Sequence, residues 1–156
     1  MPATKSITII GGGLAGLTLG IGLRQRAVPV TIHEAGNYPR HRVCGEFISG
    51  RGQESLARLG LSRLLEKADA IPARTAVFFT TTQSTAPRPL PTSAICLSRF
   101  VLDELLAAEF QRLGGELVSG QRWQDESVGE GIVRAIGRRA RTESADDRWF
   151  GLKIHA

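Results

Sequence analysis

Apolar residues along this chain fall into short unbroken runs separated by segments with helical spacing. Ile7, Ile9 and Ile10 form a run of the kind buried in a parallel sheet, and it leads straight into Gly11-Gly12-Gly13-Leu14-Ala15-Gly16. Leu14 to about Arg26 reads as a helix. Val28 to His33 reads as a second strand, ending on Glu34, 18 residues beyond Gly16. Ala35 to about Gly50 is rich in Gly, Pro, Arg and His and reads as a loop. A helix is expected over Arg51 to Leu65, with Leu56, Leu59, Leu64 and Leu65 on one face and Gly60 interrupting it. Ala76 to Thr81 has strand character, the region of Pro87, Pro89 and Pro91 reads as a turn, and Ala94 to Leu97 is a short strand. Ser98 then caps a helix from Arg99 to Leu113, carried by Leu102, Leu105, Leu106 and Phe110 and stopped by Gly114-Gly115. Strands are expected over Glu116 to Trp123, Gly131 to Ile136 and Trp149 to His155.

The first 34 residues have the parts of a dinucleotide-binding device. Gly11 permits a tight turn, Gly13 lets the backbone approach a pyrophosphate, and Gly16 lets helix and strand pack closely. The helix that follows points its N–H groups and the positive end of its dipole at the phosphates. Glu34 arrives where a ribose diol would sit. A carboxylate accepts from a 2′-hydroxyl and repels a 2′-phosphate, which favours FAD or NAD over NADP. The expected fold class is α/β, a Rossmann-like FAD/NAD(P)-binding domain with a parallel sheet, a βαβ start and additional strands.

Composition changes this picture little. The 156 residues suffice for one packed domain, and 42% hydrophobic with 22% charged residues is ordinary for a soluble globular protein. The net charge of +5 comes from 17 Arg against 3 Lys, scattered except for Arg134, Arg138, Arg139 and Arg141. No nucleic-acid module accompanies that charge, so no nucleic-acid partner is expected, and a phosphate-bearing ligand is enough to benefit from it. No apolar run reaches the roughly 18 residues of a membrane span. A cytoplasmic protein is expected, with peripheral membrane contact left open and Cys44 and Cys96 unpaired. Neither cysteine belongs to a metal pattern.

Pro39-Arg40-His41-Arg42-Val43-Cys44-Gly45-Glu46 is a second motif, and Ser98-Arg99-Phe100-Val101-Leu102-Asp103 a third. With the glycine turn they make the chain resemble the geranylgeranyl reductase branch of the FAD-dependent oxidoreductases. These are relatives of the flavin monooxygenases of the p-hydroxybenzoate hydroxylase type. The resemblance runs from Ser6 to His155. It implies that Gly11, Gly13, Ala15 and Gly16 lie along the FAD pyrophosphate and that Glu34 takes the adenosine ribose. Arg42, Cys44 and Gly45 would line the loop beside the flavin, Arg99 would reach the cofactor, and Trp123 would contact adenine mainly through its backbone. Phe47 stands where many of the reductases have glycine, which would narrow the channel to the flavin. Ala135-Ile136-Gly137-Arg138 is a weakened form of the family's Ala-Asp-Gly-Arg segment.

Read from the residues alone, several roles stay open. Cys44 beside Arg40, His41 and Arg42 is either a reactive thiol or a small apolar filler. Arg99 at a helix start needs an anion nearby or is simply exposed. Asp103 and Glu104 read as a solvated face, His33 as a filler, and His41 as a filler or a donor to a ligand. No residue is assigned as catalytic. The resulting expectation is the FAD-binding N-terminal portion of a larger two-domain flavoprotein, residues 1–156, whose substrate-domain sheet begins at about 149. It would reduce isoprenoid-type double bonds or act as a monooxygenase on a small or lipid-like substrate, with NAD(P)H as a conceivable electron donor. The competing readings are a non-catalytic nucleotide-binding remnant and an NAD-dependent dehydrogenase.

Overall fold

The structure, a computed structural model, describes residues 5–42, 44, 46–124 and 129–137. β1 (Ile7–Ile10) is followed by α1 (Leu14–Arg24) and β2 (Val30–Glu34), a right-sized crossover that lays β1 and β2 parallel with Ile9 opposite Ile32. β6 (Glu116–Ser119) joins the far side of β2, and β7 (Ile132–Arg134) the far side of β1, giving a parallel sheet of order β6-β2-β1-β7. The expected Rossmann-like α/β class is therefore what the chain adopts. The strand expected at Trp149 to His155 lies outside the described residues.

The core is the face where α1 and α4 (Arg99–Arg112) cover this sheet. Leu17 and Ile21 of α1, Ile9 and Ile32 of the sheet, and Leu102, Leu106 and Phe110 of α4 are all essentially inaccessible to solvent. Gly20 makes the approach of α1 possible. A Cβ there would stand 2.8 Å from Ile32 Cδ1 and 2.9 Å from a Phe110 ring carbon, so any larger residue would push α1 off its partners. Ser98 caps α4 as expected, its hydroxyl accepting from Val101 N–H at 3.2 Å.

Between β2 and α4 the chain departs from its expected layout. The single helix over Arg51 to Leu65 is two helices, α2 (Gly50–Arg58) and α3 (Ser62–Lys67), because Gly60 takes φ +71° and turns the chain between them. The loop after Glu34 contains a two-residue strand, β3 (Phe47–Ile48), which pairs with the end of β5. The strand expected at Ala76 to Thr81 lies instead at β4 (Ile71–Ala76), and the proline-rich turn is part of β5 (Arg88–Cys96). These three strands form an antiparallel sheet of order β3-β5-β4.

Prolines are tolerated in β5 for a geometric reason. β5 has neighbours on both sides only at Ile95 and Cys96; Pro89 and Pro91 lie where β4 alone runs beside it, so their missing N–H groups interrupt no second ladder. Beyond Ala76 the hairpin keeps one bridge, Phe79 to Ser84, and leaves Phe78 and Phe79 exposed at its tip.

Candidate nucleotide site

The C-terminal ends of β1, β2 and β7 and the N-terminus of α1 converge on one large cavity of about 1550 Å³. That exceeds the roughly 300–1,000 Å³ of a pocket for a drug-sized molecule and suits an extended ligand. Its position, outside the carboxyl ends of parallel strands, is where this architecture exposes backbone donors without exposing the core.

The glycine turn forms its floor. Gly11 N–H donates to His33 O at 2.8 Å, tying the turn to β2, and Gly11 adopts φ +110° with its α-carbon against the carbonyl of Ala135. Gly16 faces the Gly11 carbonyl so closely that a side chain would collide with it. Gly16 is therefore a packing residue that supports the turn and does not line the cavity. Gly13, Leu14 and Ala15 do line it. A Cβ on Gly13 would meet nothing within 4 Å, so the backbone at the start of α1 is open to a ligand.

Glu34 ends β2 at the edge of this space, with 5% of its surface exposed. One carboxylate oxygen, Oε2, accepts from Gly12 N–H at 2.8 Å. The other, Oε1, accepts from Gly36 N–H at 2.9 Å and forms a 2.7 Å ion pair with Arg40 Nη1. Arg42 Nη2 stands 4.0 Å from Oε2. Burial pushes the Glu34 carboxyl up, but the hydrogen bond from Arg40, the Gly36 N–H, the charge of Arg40 and the Gly12 N–H together bring it below its usual value. The Tyr38 hydroxyl donates to the Gly12 carbonyl, so Gly12 is held at both of its peptide groups. Burial and then the negative charge of Glu34 push the Tyr38 phenol well above its usual range, and it stays a donor.

On the opposite side Arg99 opens α4. Its guanidinium grips Asp103 in a two-pronged bond, Nε to Oδ1 at 2.6 Å and Nη2 to Oδ2 at 2.8 Å. Asp103 is completely buried, which corrects the expectation of a solvated face there; Glu104, its neighbour, is exposed. The one-turn spacing puts Asp103 directly beneath Arg99 and supplies, from within the helix, the anion that a cation at this end requires. The hydrogen bond to Asp103, against the opposing effect of burial, raises the Arg99 pKa further. Arg99 still lines the cavity, whereas Cys44 is half-buried behind it and Gly45 lies outside the described residues.

Trp123 lines the cavity with its ring against His33, centroids 4.5 Å apart. His41 instead stacks on Phe100 at 4.7 Å. Arg122, Gln124, Arg134 and the Ala135 to Gly137 segment also line the space, with Ala135 N–H donating to Ile10 O at 2.7 Å. Arg122 and Gln124 carried no signal in the sequence, and Phe47 is half-exposed on β3, away from the lining. The cavity wall thus carries five arginines and one carboxylate, a charge balance suited to an anionic ligand. Among the described residues no group of His, Cys, Asp or Glu is arranged to hold a metal, and no helix is long and apolar enough to cross a membrane.

Fold and cavity together define a Rossmann-like dinucleotide-binding α/β unit. No protein-family model matches the chain. Over 68 residues it is 34% identical to squalene epoxidase erg1 of Aspergillus fumigatus, a match covering 44% of this chain and 14% of that protein. Among solved structures it is similar to CmlS, a flavin-dependent halogenase, at 28% identity and TM-score 0.64, covering 80% of this chain and 24% of that one. It is also similar to the flavin-dependent monooxygenase PieE, solved in complex with FAD and substrate, at 25% identity and TM-score 0.64, covering 78% and 25% respectively. These likenesses bear out the resemblance to the flavin monooxygenase superfamily. The chain spans about a quarter of the length of those two structures and a smaller share of the epoxidase.

Two outcomes follow from the charges. Glu34 is more acidic folded than unfolded, so its contribution to stability is present above the unfolded carboxylate range and is lost as pH falls through its lowered folded value. Thermal unfolding of the wild-type protein should therefore fall more steeply from about pH 6 to about pH 3 than that of Glu34→Gln. Asp103→Ala strands Arg99 and should cost about 3–5 kcal/mol in denaturant unfolding, while Arg99→Met combined with Asp103→Leu should recover most of it.

Proposed function

We propose that this chain binds FAD and forms the N-terminal nucleotide-binding portion, residues 1–156, of a larger flavin-dependent oxidoreductase. The observation that carries the reading is the cavity itself, where open backbone at Gly13, the α1 N-terminus and an arginine-rich wall meet at the ends of the parallel strands. The residues present fit an adenine dinucleotide. The cavity has the necessary volume, the backbone at Gly13 is open where a Cβ would meet no protein atom within 4 Å, and Arg40 and Trp123 keep buried N–H groups with no partner among the described residues. Gly11, Gly13 and Ala15 would lie along the pyrophosphate, Glu34 at the adenosine ribose, and Trp123 at the adenine. Arg42, Arg99 and the Cys44-Gly45 loop would lie toward the flavin end.

Bound FAD would supply two-electron chemistry that no side chain here provides. The chain's own part is to hold and orient it. Arg99 is rigid in this role because Asp103 fixes its guanidinium from below, leaving its outer surface for the ligand. For the whole protein we favour oxygen-dependent turnover of a small organic substrate with NAD(P)H as reductant, the reading supported by the monooxygenase and halogenase likenesses. Reduction of an isoprenoid-type double bond is the second reading, supported by the Arg42-Val43-Cys44-Gly45-Glu46 motif.

Purified protein should be yellow or should quench flavin fluorescence on titration with FAD. Gly13→Val should weaken FAD binding by at least tenfold while lowering the unfolding temperature by no more than a few degrees, because a Cβ at this N-cap position meets no protein atom within 4 Å. Folded wild-type protein that neither retains nor takes up FAD would overturn the reading. Oxygen consumption coupled to NAD(P)H oxidation would separate the monooxygenase from the reductase.

A further inference from the structure

Among the described residues, the non-glycine positions with left-handed backbone are Ala27, Glu46 and Asp69. Ala27 and Asp69 lie just past the ends of α1 and α3, where a left-handed residue is an ordinary way to stop a helix. Glu46 follows no helix. It takes φ +55° immediately before β3, a conformation that glycine adopts without the steric cost a Cβ brings. A side chain kept against that cost points to a task performed by the side chain.

The Glu46 carboxylate reaches the start of α4. Its Oε1 accepts from Arg99 N–H at 3.1 Å, across 53 residues of chain. The Glu46 carbonyl accepts from Leu97 N–H at 3.1 Å, which carries the pairing of Phe47 with Cys96 one residue further. Glu46 thus grips the chain on both sides of Ser98 and ties the loop after β2 to the helix. α4 needs an anion at this end. It opens on a cation and has no acid in its first turn, so the positive end of its dipole meets Arg99 without help from adjacent positions. Asp103 holds the guanidinium from below, and Glu46 holds the peptide from which that side chain springs. Glu46 is not part of the cavity wall, whereas Arg99 is.

We propose that Glu46 is a positioning residue that acts through Arg99. By fixing the first peptide of α4 to the loop after β2, it sets where the Arg99 side chain enters the cavity and how firmly it is held. Its influence falls on the flavin end of a bound FAD and leaves the adenosine end untouched. The proposal rests on the FAD-binding reading above. It explains why a carboxylate occupies a backbone position better suited to glycine: the bond to Arg99 N–H offsets the strain.

The test measures FAD and ADP affinities by calorimetry for the wild-type chain, Glu46→Gly and Glu46→Gln. Glu46→Gly relieves the backbone and removes the acceptor. It should weaken FAD on the order of tenfold, the effect of a charge-assisted hydrogen bond, and ADP by less than about twofold. Glu46→Gln keeps an acceptor for Arg99 N–H and should stay within about threefold of the wild type for FAD. Should Glu46→Gly not fold, Glu46→Asn, which tolerates left-handed backbone but is one methylene too short, reads the same ratio. The decisive arm repeats Glu46→Gly in the Arg99→Met and Asp103→Leu background, where it should change FAD affinity by less than about twofold. A loss that persists there would show that Glu46 does not act through Arg99 and would overturn the proposal. Equal weakening of ADP and FAD, or no weakening of either, would also overturn it and leave FAD binding intact. Failure of the folded wild type to bind FAD would remove both.

Discussion

One buried carboxylate ties the nucleotide end of this molecule together. Glu34 reaches from the end of β2 to the N–H of Gly12, closes its own loop through Gly36 N–H, and anchors Arg40. These bonds join the second strand to the turn that follows the first, across 22 residues of chain. A carboxylate so enclosed is tolerable only because each of its committed lone pairs faces a donor. The turn's shape, the path of the loop and the charge at the cavity's rim all depend on it. Glu34 is thus structural as well as ligand-facing, and the two roles share the same atoms.

Around that point the architecture follows simple physics. Parallel strands with apolar faces need helices over them, and α1 and α4 bury Leu17, Ile21, Leu102, Leu106 and Phe110 against Ile9 and Ile32. The crossover that covers the sheet also brings the start of α1 to the strand ends, where its unpaired N–H groups face the cavity. α4 does the same from the other side with Arg99, whose charge is stabilised by Asp103 one turn later. The site is therefore built from element ends, with the fold's stability residing behind it.

Much of this was legible in the sequence, because its signals are local. The run at Ile7 to Ile10, the glycine turn, Glu34 and the Ser98 cap each act through residues a few positions apart. What escaped depends on distant partners. The β4 strand sits five residues before the apolar run that suggested it, because pairing with Ala94 to Cys96 sets its register, whatever its own hydrophobicity. Two prolines argued for a turn in what is β5, and only the one-sided pairing of that segment explains them. Asp103 looked like a surface acid until Arg99 was seen folded onto it. The arginine-bound state of Glu34 was equally invisible, since nothing in the spacing of positions 34 and 40 announces that the loop returns.

The glycines of the turn are held by different masters. At position 11 a side chain would strike the Ala135 carbonyl, at 12 it would strike Tyr38, and at 16 it would strike the turn itself. A descendant that had abandoned every ligand would still keep those three, simply to fold. Position 13 opens onto empty space, so drift would be free to enlarge it once nothing needed to dock there. The glycine this chain retains at 13 is the one whose survival the scaffold does not account for.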